Sequence, residues 1–105
     1  MNALPPLVTQ HLDEVRALCE KYGVKRLTLF GSAVKGTFDE NSDLDFVVDF
    51  EWHPDPLERG RRWVELWEDL KDLFGRNIDL IVESTIQSRH FAAAIASQRV
   101  DLYAA

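Results

Sequence analysis

The segment Asp43-Leu44-Asp45, which opens an apolar run ending at Phe50, constrains the fold more than any other feature of this chain. In a β-strand, side chains two residues apart point to the same face, and their Cα atoms lie about 6.6 Å apart. The pattern therefore predicts a strand that buries its apolar side chains on one face and presents both aspartates on the other. Two like charges on one face repel unless a cation joins them, so the same pattern indicates a cation site.

Hydrophobic spacing and the positions of glycine and proline predict the other elements. They are, in order, a helix over 8–22, a strand over 26–30, one helical turn over 33–36, a strand over 43–50, a helix over 57–74, a strand over 77–83, a helix over 89–97 capped by Ser84 or Thr85, and an edge strand or extended tail over 100–103. This order implies an α/β (α+β) fold, in which helices pack on a small mixed β-sheet of three to four strands. We expect residues 1–105 to form one domain.

Composition limits the expected partners and location. The formal charge of −6 argues against stable binding to nucleic acid, whose phosphates attract Lys and Arg, but leaves a basic protein partner open. The single cysteine, Cys19, excludes an internal disulfide and fits a reducing cytoplasm. We expect no secretory leader and no membrane span, because the first twelve residues lack a basic start and the apolar runs are short.

A third aspartate extends the predicted cation site. Asp79 alternates with Ile78, Leu80 and Val82, so it projects from the opposite face of its strand. If this strand lies beside the one over 43–50, Asp79 joins Asp43 and Asp45. Mg²⁺ prefers oxygen ligands completed by waters and substrate phosphates, so we expect these three carboxylates to hold two Mg²⁺ ions. Taken singly, Asp43 is also explained as a turn residue and Asp79 as a solubility residue on an edge strand.

The turn at Gly31-Ser32 suits a phosphate group. Glycine allows the backbone to approach a phosphate closely, and Ser32 adds a hydroxyl donor and opens a helical turn with free N–H groups. Lys35 adds a mobile positive charge nearby. The turn predicts a triphosphate site at Gly31, Ser32 and Lys35, although a glycine and a serine after a strand more often form an ordinary turn.

Other conspicuous side chains have structural explanations. Arg59, Arg61 and Arg62 would meet a triphosphate or a partner, or would simply form a solvated helix face, which we favour. Trp52 stands in a proline-containing loop and either forms a contact surface or caps the core. The remaining residues of this kind are expected in the core or at its edge: His11, Cys19, Trp63 and Trp67.

The motifs Phe30-Gly31-Ser32, Asp43-Leu44-Asp45 and Asp79 resemble, in order and spacing, the signature of the DNA polymerase beta-like nucleotidyltransferases. The resemblance covers the chain from about Arg16 to Tyr103. The size of the chain is similar to that of the minimal nucleotidyltransferases (MNT), the antitoxins of HEPN/MNT toxin–antitoxin pairs. At Ala33 and Lys35 the chain departs from the aromatic residue and the arginine that this family often has.

The resemblance implies a specific reaction: Mg²⁺-dependent transfer of AMP from ATP to a tyrosine of a partner HEPN ribonuclease toxin, which silences the toxin. It implies Asp43, Asp45 and Asp79 as the catalytic and metal-binding residues, and Gly31, Ser32 and Lys35 as the nucleotide-binding residues. Two alternatives stay open. One is an MNT-like antitoxin that neutralises its toxin by binding alone. The other is a nucleotidyltransferase acting on a small molecule or RNA with a separate acceptor-binding subunit.

Overall fold

The computed structural model describes residues 4–105, apart from the side chain of Ser97. Its helices are α1 (Pro6–Thr9), α2 (Leu12–Lys21), α3 (Ser32–Lys35), α4 (Pro56–Phe74) and α5 (Arg89–Ser97), with a 3₁₀ turn at Glu83–Thr85. Its strands are β1 (Val24–Phe30), β2 (Leu44–Phe50), β3 (Ile78–Val82) and β4 (Arg99–Ala104). The predicted fold class, a small mixed sheet with helices packed on it, is confirmed. No helix among the described residues is long and apolar enough to cross a membrane.

The four strands form one sheet in the order β3-β2-β1-β4. β1 pairs antiparallel with both β2 and β4, whereas β2 and β3 run parallel. The parallel pair is joined by α4, since parallel strands need a long crossover connection. The residues over 100–103 therefore belong to an edge strand and not to an extended tail.

One face of the sheet carries the hydrophobic core. The apolar residues of β2, Leu44, Phe46 and Val48, are completely buried there, as the alternation predicts. Their neighbours across the sheet are Leu29 of β1 and Leu80 of β3, both on the Phe46 row. Helices α2 and α4 supply the opposite wall through Val15, Cys19, Leu66, Leu70 and Phe74. The second face of the sheet carries Asp45 and the buried Val47, and α5 packs on part of it.

Two tryptophans of α4 attach the helix to the outer strand of the sheet. The indole N–H of Trp67 donates to the carbonyl oxygen of Ile78 at 2.9 Å, and that of Trp63 donates to the carbonyl of Leu80 at 3.1 Å. The two rings stack on each other and are half-buried against the core. Because β3 is an edge strand, these bonds satisfy carbonyl groups that no further strand reaches. Their prediction as core residues is confirmed.

β1 begins at Val24 and not at residue 26 as predicted, and three further local predictions are wrong. The helix predicted over 8–22 is interrupted at His11, whose backbone has φ −119° and ψ 17°. The interruption sets the His11 ring edge-on against Phe74 of α4. The spacing of residues within one segment does not predict such a contact between two helices. β2 begins at Leu44 and not at Asp43. Its first pair in the ladder with β3 is Leu44 with Ile78, and the Leu44 N–H donates to the carbonyl of Asn77.

The third wrong prediction concerns the cap of α5. Ser88 caps this helix by accepting from the backbone N–H of Phe91 at 3.2 Å. Ser84 and Thr85 lie instead in the 3₁₀ turn, where the Thr85 hydroxyl donates to the carbonyl of Val82 at 2.7 Å. A hydroxyl near a helix start can cap it only if the backbone direction brings the first-turn N–H groups within reach.

Candidate active site

The strand register places two aspartates side by side on the polar face of the sheet. Asp45 of β2 is the direct neighbour of Asp79 of β3 in the parallel ladder. On its other side, Asp45 faces Phe30, the last residue of β1. The expectation that the strand of Asp79 adjoins that of Asp45 is therefore met. Asp79 is exposed at the edge of the sheet, and Asp45 is half-buried between its neighbours.

Gly31 directly follows β1 and lies against the carboxylate of Asp45. Its backbone has φ 78° and ψ −150°, a conformation that only glycine adopts without strain. A Cβ atom added at Gly31 would lie 2.3 Å from Oδ2 of Asp45 and 3.2 Å from its Cγ. Glycine at position 31 is therefore required both by the turn and by the close approach of the aspartate.

The turn of α3 follows at once. The N–H groups of Val34 and Lys35 both donate to the carbonyl of Gly31 at 3.0 Å, which closes one helical turn. The N–H groups of Ser32 and Ala33 come before the first of these bonds. They have no acceptor within the helix, as is general for N–H groups of a first turn. Ser32 is half-buried beside Gly31, whereas Lys35 is exposed at the far end of the turn. Gly31 and Ser32 thus lie next to Asp45, and Lys35 lies one turn further away.

Asp43 is exposed and comes one residue before β2, at the end of a hydrogen-bonded loop. The Asp39 carboxylate accepts from the Asn41 N–H at 2.9 Å and from the Ser42 hydroxyl at 3.1 Å. These bonds form a compact turn immediately before Asp43. The residue types of this turn, Asp, Asn and Ser, are the ones that bond to their own backbone, so the sequence contained a signal for it.

Arg76 is a positioning residue that sequence reasoning missed. Its guanidinium donates to the carbonyls of Ser42 at 2.8 Å and Asp39 at 3.1 Å. It also stacks on the ring of Phe38, 4.5 Å from the centroid. Arg76 lies in the segment just before β3, and its hydrogen bonds therefore attach the loop before Asp43 to that segment. A lone arginine between a helix and a strand gives no sequence signal for such a contact.

The electrostatics of the three aspartates indicate a cation site. Burial, together with the charges of Asp79 and Asp43, raises the pKa of Asp45 from 3.8 to about 6. Among residues 4–105 none of the three carboxylates has a salt bridge to a basic side chain. Within residues 4–105, the negative charge at this point of the sheet is therefore concentrated, and no salt bridge neutralises it.

The three carboxylates do not form a closed metal cluster by themselves. In the part of the chain that the structure describes, no three side chains of Asp, Glu, His or Cys are grouped closely enough to hold an ion alone. This is compatible with Mg²⁺, which protein sites often bind through one or two carboxylates plus waters and substrate phosphates. The donors that the chain offers are carboxylate oxygens, the ligand type that Mg²⁺ prefers.

The arginines near the start of α4 do not reach this site. Arg61 forms ion pairs with Glu58 and Glu65, and Arg62 pairs with Glu58 at 3.2 Å. These arginines hold the pKa of Glu58 at about 2. Arg59 lines a groove of about 610 Å³ beside Phe50 and Val82, at the opposite end of β2 and β3. Arg59 and Arg61 are exposed, as predicted for a solvated helix face, whereas Arg62 is partly buried.

The remaining conspicuous residues have structural surroundings. Burial, then the charge of Glu20, raises the pKa of the Cys19 thiol to about 12, so it is inert. The His11 ring bonds to Glu14 at 2.9 Å at the edge of the core. Trp52 is 78% exposed, so it does not cap the core.

Comparisons with known proteins agree with this geometry. The family model described as a nucleotidyltransferase domain matches residues 14–102. The protein adenylyltransferase MntA of Thermococcus cleftensis is 36% identical over 88 residues, which cover 84% of this chain and 82% of that protein.

Solved structures share the fold. A chain of a toxin–antitoxin complex with AMP-PNP superposes with a TM-score of 0.69 at 22% identity, covering 90% of this chain and 73% of that one. A chain of the complex between the tri-AMPylated HEPN toxin of Shewanella oneidensis and its MNT antitoxin gives a TM-score of 0.59 at 17% identity. The match covers 92% of this chain and 72% of that one. At these identities the likeness shows the fold alone.

Proposed function

Because this chain belongs to the nucleotidyltransferase domain family, we propose that it transfers AMP from ATP to a tyrosine hydroxyl of a partner HEPN toxin. Transfer silences the toxin, so the chain acts as an antitoxin. The observation that carries the proposal is the position of Asp45, half-buried between Asp79 on one side and the Gly31 turn on the other. This arrangement supports the proposal because it would set anionic metal ligands directly beside a turn suited to a phosphate group.

Each residue of the site has a role in this reaction. Asp43, Asp45 and Asp79 would hold Mg²⁺, which when bound polarises the α-phosphate and increases the acidity of the acceptor hydroxyl. The Ser32 hydroxyl and the backbone at Gly31 orient the β- and γ-phosphates, and Lys35 adds positive charge. Asp79, exposed at the sheet edge, takes the acceptor proton and passes it to solvent. The contribution of the protein is therefore positioning and electrostatic stabilisation.

Two relatives support the choice of donor and partner. The curated relative from Thermococcus cleftensis is named a protein adenylyltransferase, which fits AMP as the transferred group. The Shewanella oneidensis complex contains an AMPylated HEPN toxin, which fits a HEPN protein as acceptor. The absence of stable nucleic-acid binding and the cytoplasmic location stay predictions from charge and from the single cysteine.

Neutralisation by binding alone is the second candidate. The substitutions at Ala33 and Lys35 relative to the family pattern leave room for it. The geometry of Asp45 favours transfer instead: its carboxylate lies half-buried between Asp79 and the Gly31 turn, and its raised pKa is of the kind that clusters at functional sites.

The deciding experiment combines the chain with Mg²⁺, α-labelled ATP and the product of the adjacent gene, which the proposal takes to be the HEPN protein. We expect label on the HEPN protein, and loss of its ribonuclease activity in step with labelling. Label should disappear when Mg²⁺ is replaced by a chelator. Full neutralisation of the toxin without label would exclude the proposed transfer and support the binding-only candidate.

Metal binding should depend on pH through Asp45. The folded-state pKa of about 6 lies above the ordinary 3.8, so the contribution of Asp45 to the stability of the metal-free protein falls as pH rises from about 4 through 6. A bound cation removes that penalty. With about 10 mM MgCl₂ and a dissociation constant of about 1 mM, the gain is about 1.4 kcal/mol, or roughly 5 °C in Tm.

Thermal unfolding at pH 5 and pH 8, with and without MgCl₂, measures this effect. We expect a larger rise in Tm at pH 8, where Asp45 is ionised before the ion binds. The difference between the two pH values should vanish in Asp45→Asn. An equal rise at both pH values in the unmodified chain would contradict the site.

A further inference from the structure

A cavity of about 180 Å³ lies between α5 and the face of the sheet that carries Asp45 and Asp79. Val47 of β2 and Thr28 of β1 form its floor, and they are direct neighbours in the antiparallel ladder. Its walls include Ile86, Ala92 and Ile95 from α5 and the segment before it, and Arg99 from β4. The reaction described above assigns no role to these residues.

The cavity lies on the opposite side of Asp45 from the Gly31 turn. Val47 is the next residue after Asp45 on the same face of β2, about 6.6 Å further along the strand. Gly31 lies in the opposite direction from Asp45, because it follows Phe30, the last residue of β1 and the partner of Asp45. Along the strands, the sequence of features is therefore the Gly31 turn, then Asp45, then the cavity.

This order matches the geometry of phosphoryl-type transfer. The attacking and leaving oxygens stand roughly in line on opposite sides of the phosphorus. If Gly31 and Ser32 hold the β- and γ-phosphates, the acceptor oxygen approaches from the side of the cavity. We propose, on the basis of the function above, that the cavity seats the side chain carrying the acceptor hydroxyl and selects a phenolic ring.

The surfaces of the cavity favour a ring over a small polar acceptor. Val47, Ile86 and Ile95 present apolar surface. Two of the three polar side chains that line the cavity are already engaged: the Thr28 hydroxyl donates to Asp101 at 2.8 Å, and Glu83 pairs with Arg26 at 2.5 Å. A sugar or another acceptor rich in hydroxyl groups would find few free partners there. The ring of a phenol needs no hydrogen-bond partner.

Arg99 strengthens the case for an aromatic occupant. In the described residues, its guanidinium has no hydrogen bond or ion pair. Arg99 is exposed on the edge strand and lies on the same row of the sheet as Phe30 and Asp45. A guanidinium stacks on the face of an aromatic ring, so a phenol in the cavity would supply the partner that Arg99 lacks.

The transfer exchanges one phosphorus–oxygen bond for another. The phenolic oxygen forms a bond to the α-phosphorus and gives its proton to the Asp79 carboxylate. The bond between the α-phosphorus and the oxygen bridging to the β-phosphate breaks, and pyrophosphate leaves with the electron pair. The product is an AMP–phenol ester seated over Val47, with pyrophosphate at Ser32.

Filling the cavity tests the proposal. Ala92→Leu adds three carbons at the cavity wall, and Ala93→Leu adds the same group at the next position of α5, which is exposed and does not line the cavity. Binding of 4-fluorophenol, followed by its fluorine NMR line width, reports on the cavity without catalysis. Transfer of labelled AMP to the HEPN protein, with the modified residue mapped by mass spectrometry, reports on its use.

We expect 4-fluorophenol to bind the unmodified chain and Ala93→Leu. Ala92→Leu should weaken this binding about tenfold or more and lower kcat/KM for the HEPN acceptor by a similar factor, with the Kd for ATP unchanged. Arg99→Gln, a change at an exposed position of the edge strand, should weaken binding of the phenol severalfold.

The proposal is overturned if 4-fluorophenol does not bind, if Ala92→Leu transfers AMP at the rate of Ala93→Leu, or if the mapped residue is not aromatic. Failure of the proposed function looks different: 4-fluorophenol then binds and is excluded by Ala92→Leu, but no variant labels the HEPN protein.

Discussion

Replacing Asp45 with asparagine is expected to lower AMP transfer by a factor on the order of 10³ while making the metal-free protein more stable. Asparagine has nearly the same shape, so the strand and its core face are preserved. It carries no charge, so it cannot help to neutralise a divalent cation at the site. The two effects have opposite signs because the chain maintains this charge against burial and against Asp79 and Asp43.

The size of the stability gain follows from the pKa. A carboxyl whose pKa is raised from 3.8 to about 6 opposes folding at neutral pH. After allowance for solvent screening of this half-buried group, its removal should add about 1–2 kcal/mol to the free energy of unfolding. Urea unfolding of the two metal-free proteins at pH 7.5 measures the difference.

Asp49→Asn provides the matched control. Asp49 lies four residues further along β2 on the same face, half-buried, at the end of the strand remote from Gly31. We expect it to change transfer by less than about threefold, because it carries no part of the proposed site. Transfer by Asp45→Asn at the unmodified rate would show that the catalytic site lies elsewhere.

Replacing Gly31 with alanine is expected to remove transfer and to destabilise the fold. At φ 78° and ψ −150° alanine is strained, and its Cβ would lie 2.3 Å from Oδ2 of Asp45. Either the turn or the aspartate must move, and in the proposed reaction both would hold reacting groups. We expect a loss of about 2–3 kcal/mol in the free energy of unfolding and on the order of 10²-fold in transfer.

Gly75→Ala shows what an alanine at positive φ costs without a clash; the left-handed conformation of Gly75, with ψ 31°, is milder than that of Gly31. Gly75 ends α4 with φ 63°, and a Cβ atom there would meet nothing within 4 Å. This variant therefore carries backbone strain without a clash, and should cost about 1 kcal/mol of stability with transfer retained. If Gly31→Ala behaved like Gly75→Ala, the close approach of Asp45 would have no functional importance.

A double variant tests the contact itself. In an Asp45→Ala background the carboxylate that the added methyl group would overlap is gone, so Gly31→Ala should cost measurably less stability than in the unmodified chain. Non-additivity of this kind is the signature of residues in direct contact. Additive losses would assign the whole effect to backbone strain.

Much of the fold could be predicted because its signals are local. The alternation in 43–50 correctly assigned Leu44, Phe46 and Val48 to the core and Asp45 to the other face. Glycines correctly marked the ends of α2 and α4. The interruption at His11 and the cap at Ser88 were missed, since both depend on how one segment meets another.

The same distinction applies to the candidate site. The sequence indicated Gly31, Ser32 and the three aspartates as a set, but their adjacency rested on an assumed strand order. Nothing in the sequence indicated that Arg76 fixes the loop before Asp43, or that α5 leaves a cavity over Val47. Such contacts join residues far apart in the chain, where spacing carries no information.

The sequence by itself determined which segments become strands and helices, and which side chains of each face the core, because both follow from the periodicity of side chains along one segment. Only the tertiary structure decided that β2 lies between β1 and β3, which brings Asp45 beside both Gly31 and Asp79. The physical reason is that strand pairing and helix docking are chosen by packing and hydrogen bonding between distant segments. The chemistry of the site comes from residue types, and its geometry comes from that pairing.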